Sequence, residues 1–229
     1  MVEAIATVAK RLAALNVEGV VFVGGATVEL LLTDPAAPSA RPTLDVDVVT
    51  PVSSRRTFYE IEQKLRAAGY SQPMDGPICR WIVDGVTVDL MPPIDRILGF
   101  SNRWYPELIE NALELTLPDG TPVRIGDAPY LLASKLEAFH GRGNEDFRFS
   151  RDVTDIVTLI DGRPELLTDV ERAPAAVREY VASEFRRFLG GMDFEESLSG
   201  HLPADDASQR RAPIILKRMH AIAELLLDS

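Results

Sequence analysis

The sequence predicts an α/β protein in which residues 1–126 build a mixed sheet and residues 127–229 form a helical half. Three observations carry this. Short apolar or alternating stretches at 19–23, 44–49, 78–83 and 86–91 have strand length and are bounded by Gly, Pro or Asp. Apolar residues at helical spacing appear among them, at 2–15 and 53–68. Beyond Asp127, helical spacing recurs at 129–140, 151–160, 175–189 and 211–227, with no further strand signal.

The elements follow in order. The first helix keeps Lys10 and Arg11 off its apolar face. The strand at 19–23 is continuously apolar, as expected when both faces are covered. Gly24-Gly25 then makes a sharp turn, and 26–32 reads as a helix. Residues 33–42, with Asp34, Pro35, Pro38, Ser39 and Pro42, read as a loop. In 44–49 the side chains alternate, Asp45 and Asp47 on one face, Leu44, Val46 and Val48 on the other. The helix at 53–68 starts at Ser53 or Ser54 and stops at Gly69. Asp84-Gly85 joins 78–83 to 86–91 as a hairpin. A second hairpin is expected at 113–117 and 123–125, around Pro118-Asp119-Gly120.

Composition narrows the class. The 24 basic and 35 acidic residues give a net charge of −11, so the overall field does not attract polyanions. An RNA substrate would need basic residues gathered on one face. A single cysteine, Cys79, excludes a disulfide framework within one chain and reads as a core residue. The apolar stretches are too short to span a bilayer, and residues 1–3 lack the basic start of a signal peptide. A cytoplasmic setting with no membrane partner is therefore expected.

The chemistry concentrates in Gly24-Gly25, Asp45-Val46-Asp47 and Asp89. Two glycines between a strand and a helix expose backbone N–H groups at a helix N-terminus, an anion site suited to a triphosphate. Asp45 and Asp47 point to the same side, and their mutual repulsion would be relieved by a pair of Mg²⁺ ions. Asp89, on the second strand of its hairpin, brings a third carboxylate. Three carboxylates and two ions suit in-line phosphoryl or nucleotidyl transfer.

Gly24-Gly25 followed by Arg41-Pro42-Thr43-Leu44-Asp45-Val46-Asp47-Val48, with a later strand carboxylate, resembles the signature of the DNA polymerase β-like nucleotidyltransferase superfamily. The stretch from Gly25 to Asp45 is longer than usual there, and the proline-rich loop accounts for the excess. Lys135 in 129–138, then Arg142, then Arg151-Asp152-x-x-Asp155, resembles the AbiEii/AbiGii toxin family, which includes the MenT toxins; Arg151 stands where those carry lysine. The resemblance covers roughly residues 20–160. It implies a nucleotidyltransferase core followed by helices that complete the active site. It also implies that Asp45, Asp47 and Asp89 are catalytic metal ligands for two Mg²⁺ ions. Gly24, Gly25, Lys135 and Arg151 would bind the NTP, with Lys135 on its phosphates and Asp152 or Asp155 joining the catalytic set. It further implies transfer of an NMP to a hydroxyl, with tRNA as acceptor, in a toxin controlled by a cognate antitoxin.

Plainer readings stand beside these. Gly24-Gly25 alone is a turn, and Asp152 and Asp155 alone are the exposed face of a helix. His140, His201 and His220 have no ligand spacing. Trp81 and Trp104 read as packing residues. Arg55-Arg56, Arg186-Arg187 and Arg210-Arg211 read as solvated charges unless gathered into an RNA track. Two other functions compete: an antibiotic-type nucleotidyltransferase, favoured by the acidic charge because aminoglycosides are cations, and an inactive relative that only binds a partner.

Overall fold

The computed structural model describes residues 1–141 and 146–226. Ile5, Val8 and Leu12 share one face of α1 (Val2–Ala14) and are buried, and α1 packs on strands β4 (Val86–Met91) and β6 (Pro122–Ile125). The remaining strands are β1 (Val21–Val23), β2 (Asp45–Val49), β3 (Arg80–Val83) and β5 (Leu113–Thr116). Together they form a six-stranded sheet in the order β3-β4-β2-β1-β6-β5. Pairings β2–β4 and β1–β6 are parallel and the other three antiparallel, so the sheet is mixed. Val46, Val48, Trp81, Val83, Val88 and Leu90 are buried along the sheet, and Arg66 of α3 (Arg55–Ala67) lies over the Trp81 ring.

Local chemistry explains most boundaries. Ser54 caps α3, its side chain accepting from Thr57 N–H. Asp84 and Gly85 take φ of 48° and 81°, which sets the tight turn between β3 and β4. β1 begins later than expected because Gly19 is left-handed at φ 69° and cannot extend the strand. β3 begins at Arg80 rather than Ile78 because Arg80 N–H closes a turn onto Pro77 C=O. The helix expected over 26–32 is one α turn, α2 (Gly25–Val28), followed by a 3₁₀ turn (Glu29–Leu31). The N–H groups of Thr33 and Asp34 both donate to the Gly162 carbonyl, drawing the chain out of helical register.

The chain divides into two compact units. One holds Met1–Thr27 and Pro42–Asp127; the other holds Val28–Arg41 together with the chain from Ala128 onward. Within the first, short helices α4 (Asp95–Leu98) and α5 (Tyr105–Glu110) follow β4. In the second, α6 (Ala128–Gly141) packs on α7 (Arg151–Gly162), α8 (Leu166–Arg172) and α9 (Ala175–Leu189). The last helix, α12 (Ala212–Glu224), lies against α9, α7 and α8, and α10 (Met192–Ser197) and α11 (Asp206–Gln209) bridge the interval. Phe139, Phe147, Phe188 and Phe194 form an aromatic cluster with centroids 4.9–5.7 Å apart. Among the described residues no helix is long and apolar enough to cross a membrane.

Candidate functional site

The register of three strands builds the carboxylate group. Asp47 of β2 is the direct partner of Asp89 on β4, and Asp89 is the partner of Arg80 on β3. Paired residues on adjacent strands project to the same face, and Asp45, two positions before Asp47, projects there too. The Asp89 side chain is 12% exposed, whereas the Asp45 side chain is 37% exposed. The sheet thus presents one sheltered and one open carboxylate, with Asp47 between them in the register.

Arg80 binds this group. Its Nε donates to Asp89 Oδ1 at 2.7 Å, and one terminal nitrogen donates to Asp89 Oδ2 at 2.6 Å. The same nitrogen reaches Asp45 Oδ2 at 3.2 Å. This forked geometry holds the guanidinium in its charged form, with its pKa raised chiefly by the hydrogen bonds to Asp89. Among the described residues no three His, Cys, Asp or Glu side chains converge as a ready metal cage. Neighbouring Cys79 is buried, and burial, followed by the charge of Asp89, pushes its thiol up to about 12. It stays a neutral core residue.

Gly24 is shaped by the same group. It takes φ 75°, and a Cβ built there would stand 1.9 Å from Asp47 Oδ2. The turn therefore runs directly against the Asp47 carboxylate, which only glycine permits. Gly25 is buried and opens α2. With a single α turn behind it, this N-terminus carries too small a dipole to make the anion site expected there, because the dipole sums along the helix.

A second charged cluster lies wholly within the helical unit. Lys135 on α6 is buried, with Nζ 2.6 Å from Asp155 Oδ2 and 3.2 Å from Asp152 Oδ1 on α7. Asp152 and Asp155 are each 2% exposed, so they are not a solvated helix face. Arg41, to which the sequence assigned no role, also binds Asp155, with Nε 2.8 Å from Oδ1 and a terminal nitrogen donating to Oδ2 at 3.0 Å. Arg151 is exposed in the first turn of α7, and Arg148 is exposed before it. Arg142 lies outside the described residues.

Arg211 is not the solvated charge its sequence context suggested. It binds Asp161 at 2.7 Å and Asp34 at 2.5 Å, fastening the segment of 28–41 to the helices. Other arginines of the paired runs also turn to backbone: Arg55 donates to Ile97 C=O and Arg186 to Ala223 C=O. A cavity of about 570 Å³, lined by α1 residues Ala9 and Ala13 with Phe22, Leu115 and Val123, does not include the carboxylates. No known protein-family model matches the chain, and no curated protein matches it.

Proposed function

We propose that the chain is a metal-dependent nucleotidyltransferase that moves an NMP from an NTP to a hydroxyl acceptor. The observation that carries this is the pairing of Asp47 with Asp89 in register, with Asp45 on the same face. The donors are carboxylate oxygens alone, the set that hard cations such as Mg²⁺ prefer. Gly24 lets the turn run directly against Asp47, which sets that carboxylate beside the backbone of the turn. Asp45 and Asp47 would hold two Mg²⁺ ions, with Asp89 joining the one nearer the nucleophile. Bound there, the ions would activate the attacking hydroxyl and stabilise the leaving pyrophosphate.

On this reading the acceptor is tRNA, the chain acts as a toxin, and a cognate antitoxin restrains it. The net charge of −11 favours a second acceptor class, small cationic molecules of the aminoglycoside kind. The reading assigns Lys135 and Arg151 to the NTP, with Lys135 on its phosphates, and Asp152 or Asp155 to the catalytic set. The burial of Lys135 between Asp152 and Asp155 favours a structural role for that lysine instead.

The test is incubation with each radiolabelled NTP and Mg²⁺ in the presence of total RNA or of an aminoglycoside. Label should pass to one acceptor class and should be abolished in Asp45→Ala and in Asp47→Ala. Full transfer by both variants would end this reading.

A further inference from the structure

Three neighbouring strands place a guanidinium where the proposed chemistry needs a metal. Arg80 spans two of the three carboxylates, bidentate on Asp89 and single on Asp45. A forked guanidinium on a carboxylate neutralises its charge and fixes its plane, which a flexible ammonium does less well. Carboxylates brought together on one sheet face repel each other unless a cation lies between them. Arg80 supplies that cation from the protein itself. Its side chain is 28% exposed, so it has a route to solvent, whereas Asp89 is held in the strand beside it.

We propose that Arg80 is a resident cation that keeps the place of a divalent ion, balancing Asp45 and Asp89 in the metal-free protein and swinging away when the ion loads. This rests on the metal-dependent reading above. Two consequences follow. Metal and guanidinium compete for the same oxygens, so the free protein binds divalent ions weakly. The metal-free fold also avoids the repulsion between Asp45 and Asp89 that would act without the guanidinium. The guanidinium released on loading is then available to meet an anionic phosphate beside the ions.

The experiment is direct titration with Mn²⁺, followed by loss of the free-ion electron paramagnetic resonance signal. The wild type is compared with Arg80→Met, Arg80→Lys and the double variant Arg80→Met/Asp47→Asn. Thermal unfolding is recorded for each with and without Mn²⁺. A charge-assisted pair of this kind is worth about tenfold to a hundredfold in a competing equilibrium. Arg80→Met should therefore bind Mn²⁺ tighter than wild type by about that factor. It should melt lower than wild type without the ion and gain more stability from it. Arg80→Lys keeps the charge and loses the fork, so it should fall between; it carries the comparison if Arg80→Met does not fold. The gain should vanish in the double variant. Equal Mn²⁺ affinity in wild type and both single variants would overturn the proposal while leaving the metal reading intact; a gain that survives Asp47→Asn would place the ion away from Asp47 and overturn both. Absence of Mn²⁺ binding in every protein would overturn both.

Discussion

Asp47 and Gly24 occupy complementary space: the carboxylate of one stands where a side chain on the other would have to go. Two separate penalties therefore meet at position 24, a left-handed backbone and a collision with Asp47. Gly24→Ala should lower stability by about 1–3 kcal/mol. A double-mutant cycle with Asp47→Ala, read by urea unfolding, should recover part of this loss, because removing the carboxylate relieves the collision and leaves only the backbone strain. Strict additivity would show that the collision contributes nothing.

Arg80 makes the carboxylates unequal. Asp89→Asn weakens a forked, sheltered pair and should destabilise by about 1–3 kcal/mol. Asp45 meets Arg80 through one bond and is open to water, so Asp45→Asn should cost under about 1 kcal/mol. Urea unfolding of the two variants side by side checks the order. A larger loss at Asp45 would mean that Arg80 is anchored differently from what its contacts indicate.

Lys135 is expected to be a structural keystone of the helical unit. Lys135→Met removes the cation between Asp152 and Asp155, with Arg41 still paired to Asp155. The expected loss is about 3–5 kcal/mol, the range for breaking one partner of a buried pair. Chemical unfolding measures it. If stability is unchanged and kcat/KM for NTP falls instead, the phosphate role is correct and the structural one is not.

His201 should make stability pH-dependent. Burial lowers its pKa in the folded chain below the ordinary 6.5, and its Nε2 donates to the Phe147 carbonyl at 2.5 Å. The unfolded chain thus takes up a proton more readily than the folded one. The stability this residue contributes is complete above about 6.5 and is lost as pH falls through the folded pKa. Melting temperatures of wild type and His201→Asn between about pH 5 and 8 should show a steeper acid-side fall in wild type. Parallel curves would remove His201 from the account.

Much of this was legible in the sequence, and the rest had identifiable reasons to be hidden. Alternation put Asp45 and Asp47 on one face, and Asp84-Gly85 fixed its turn. The same turn sets the register beyond it: with Val83 facing Val86, counting back pairs Arg80 with Asp89. Arg80 was thus within reach of the sequence by register alone. Arg41 was not, because its partner Asp155 lies 114 residues away and no local pattern announces such a pair. The short helices α4, α8, α10 and α11 span too few residues for periodicity to emerge. The Gly24-Gly25 turn was clear, but the length of the helix after it was set by Gly162, far along the chain.

The stretch from Val28 to Arg41 is made early and used late. Asp34 meets Arg211 only after 177 further positions have been translated. At about 5–20 residues per second, the ribosome delivers that partner roughly ten to thirty-five seconds afterwards. During that interval Val28 and Leu31, buried in the finished protein, have no helical unit to receive them. The nascent chain therefore carries an apolar segment in waiting until the helices it packs with have been made.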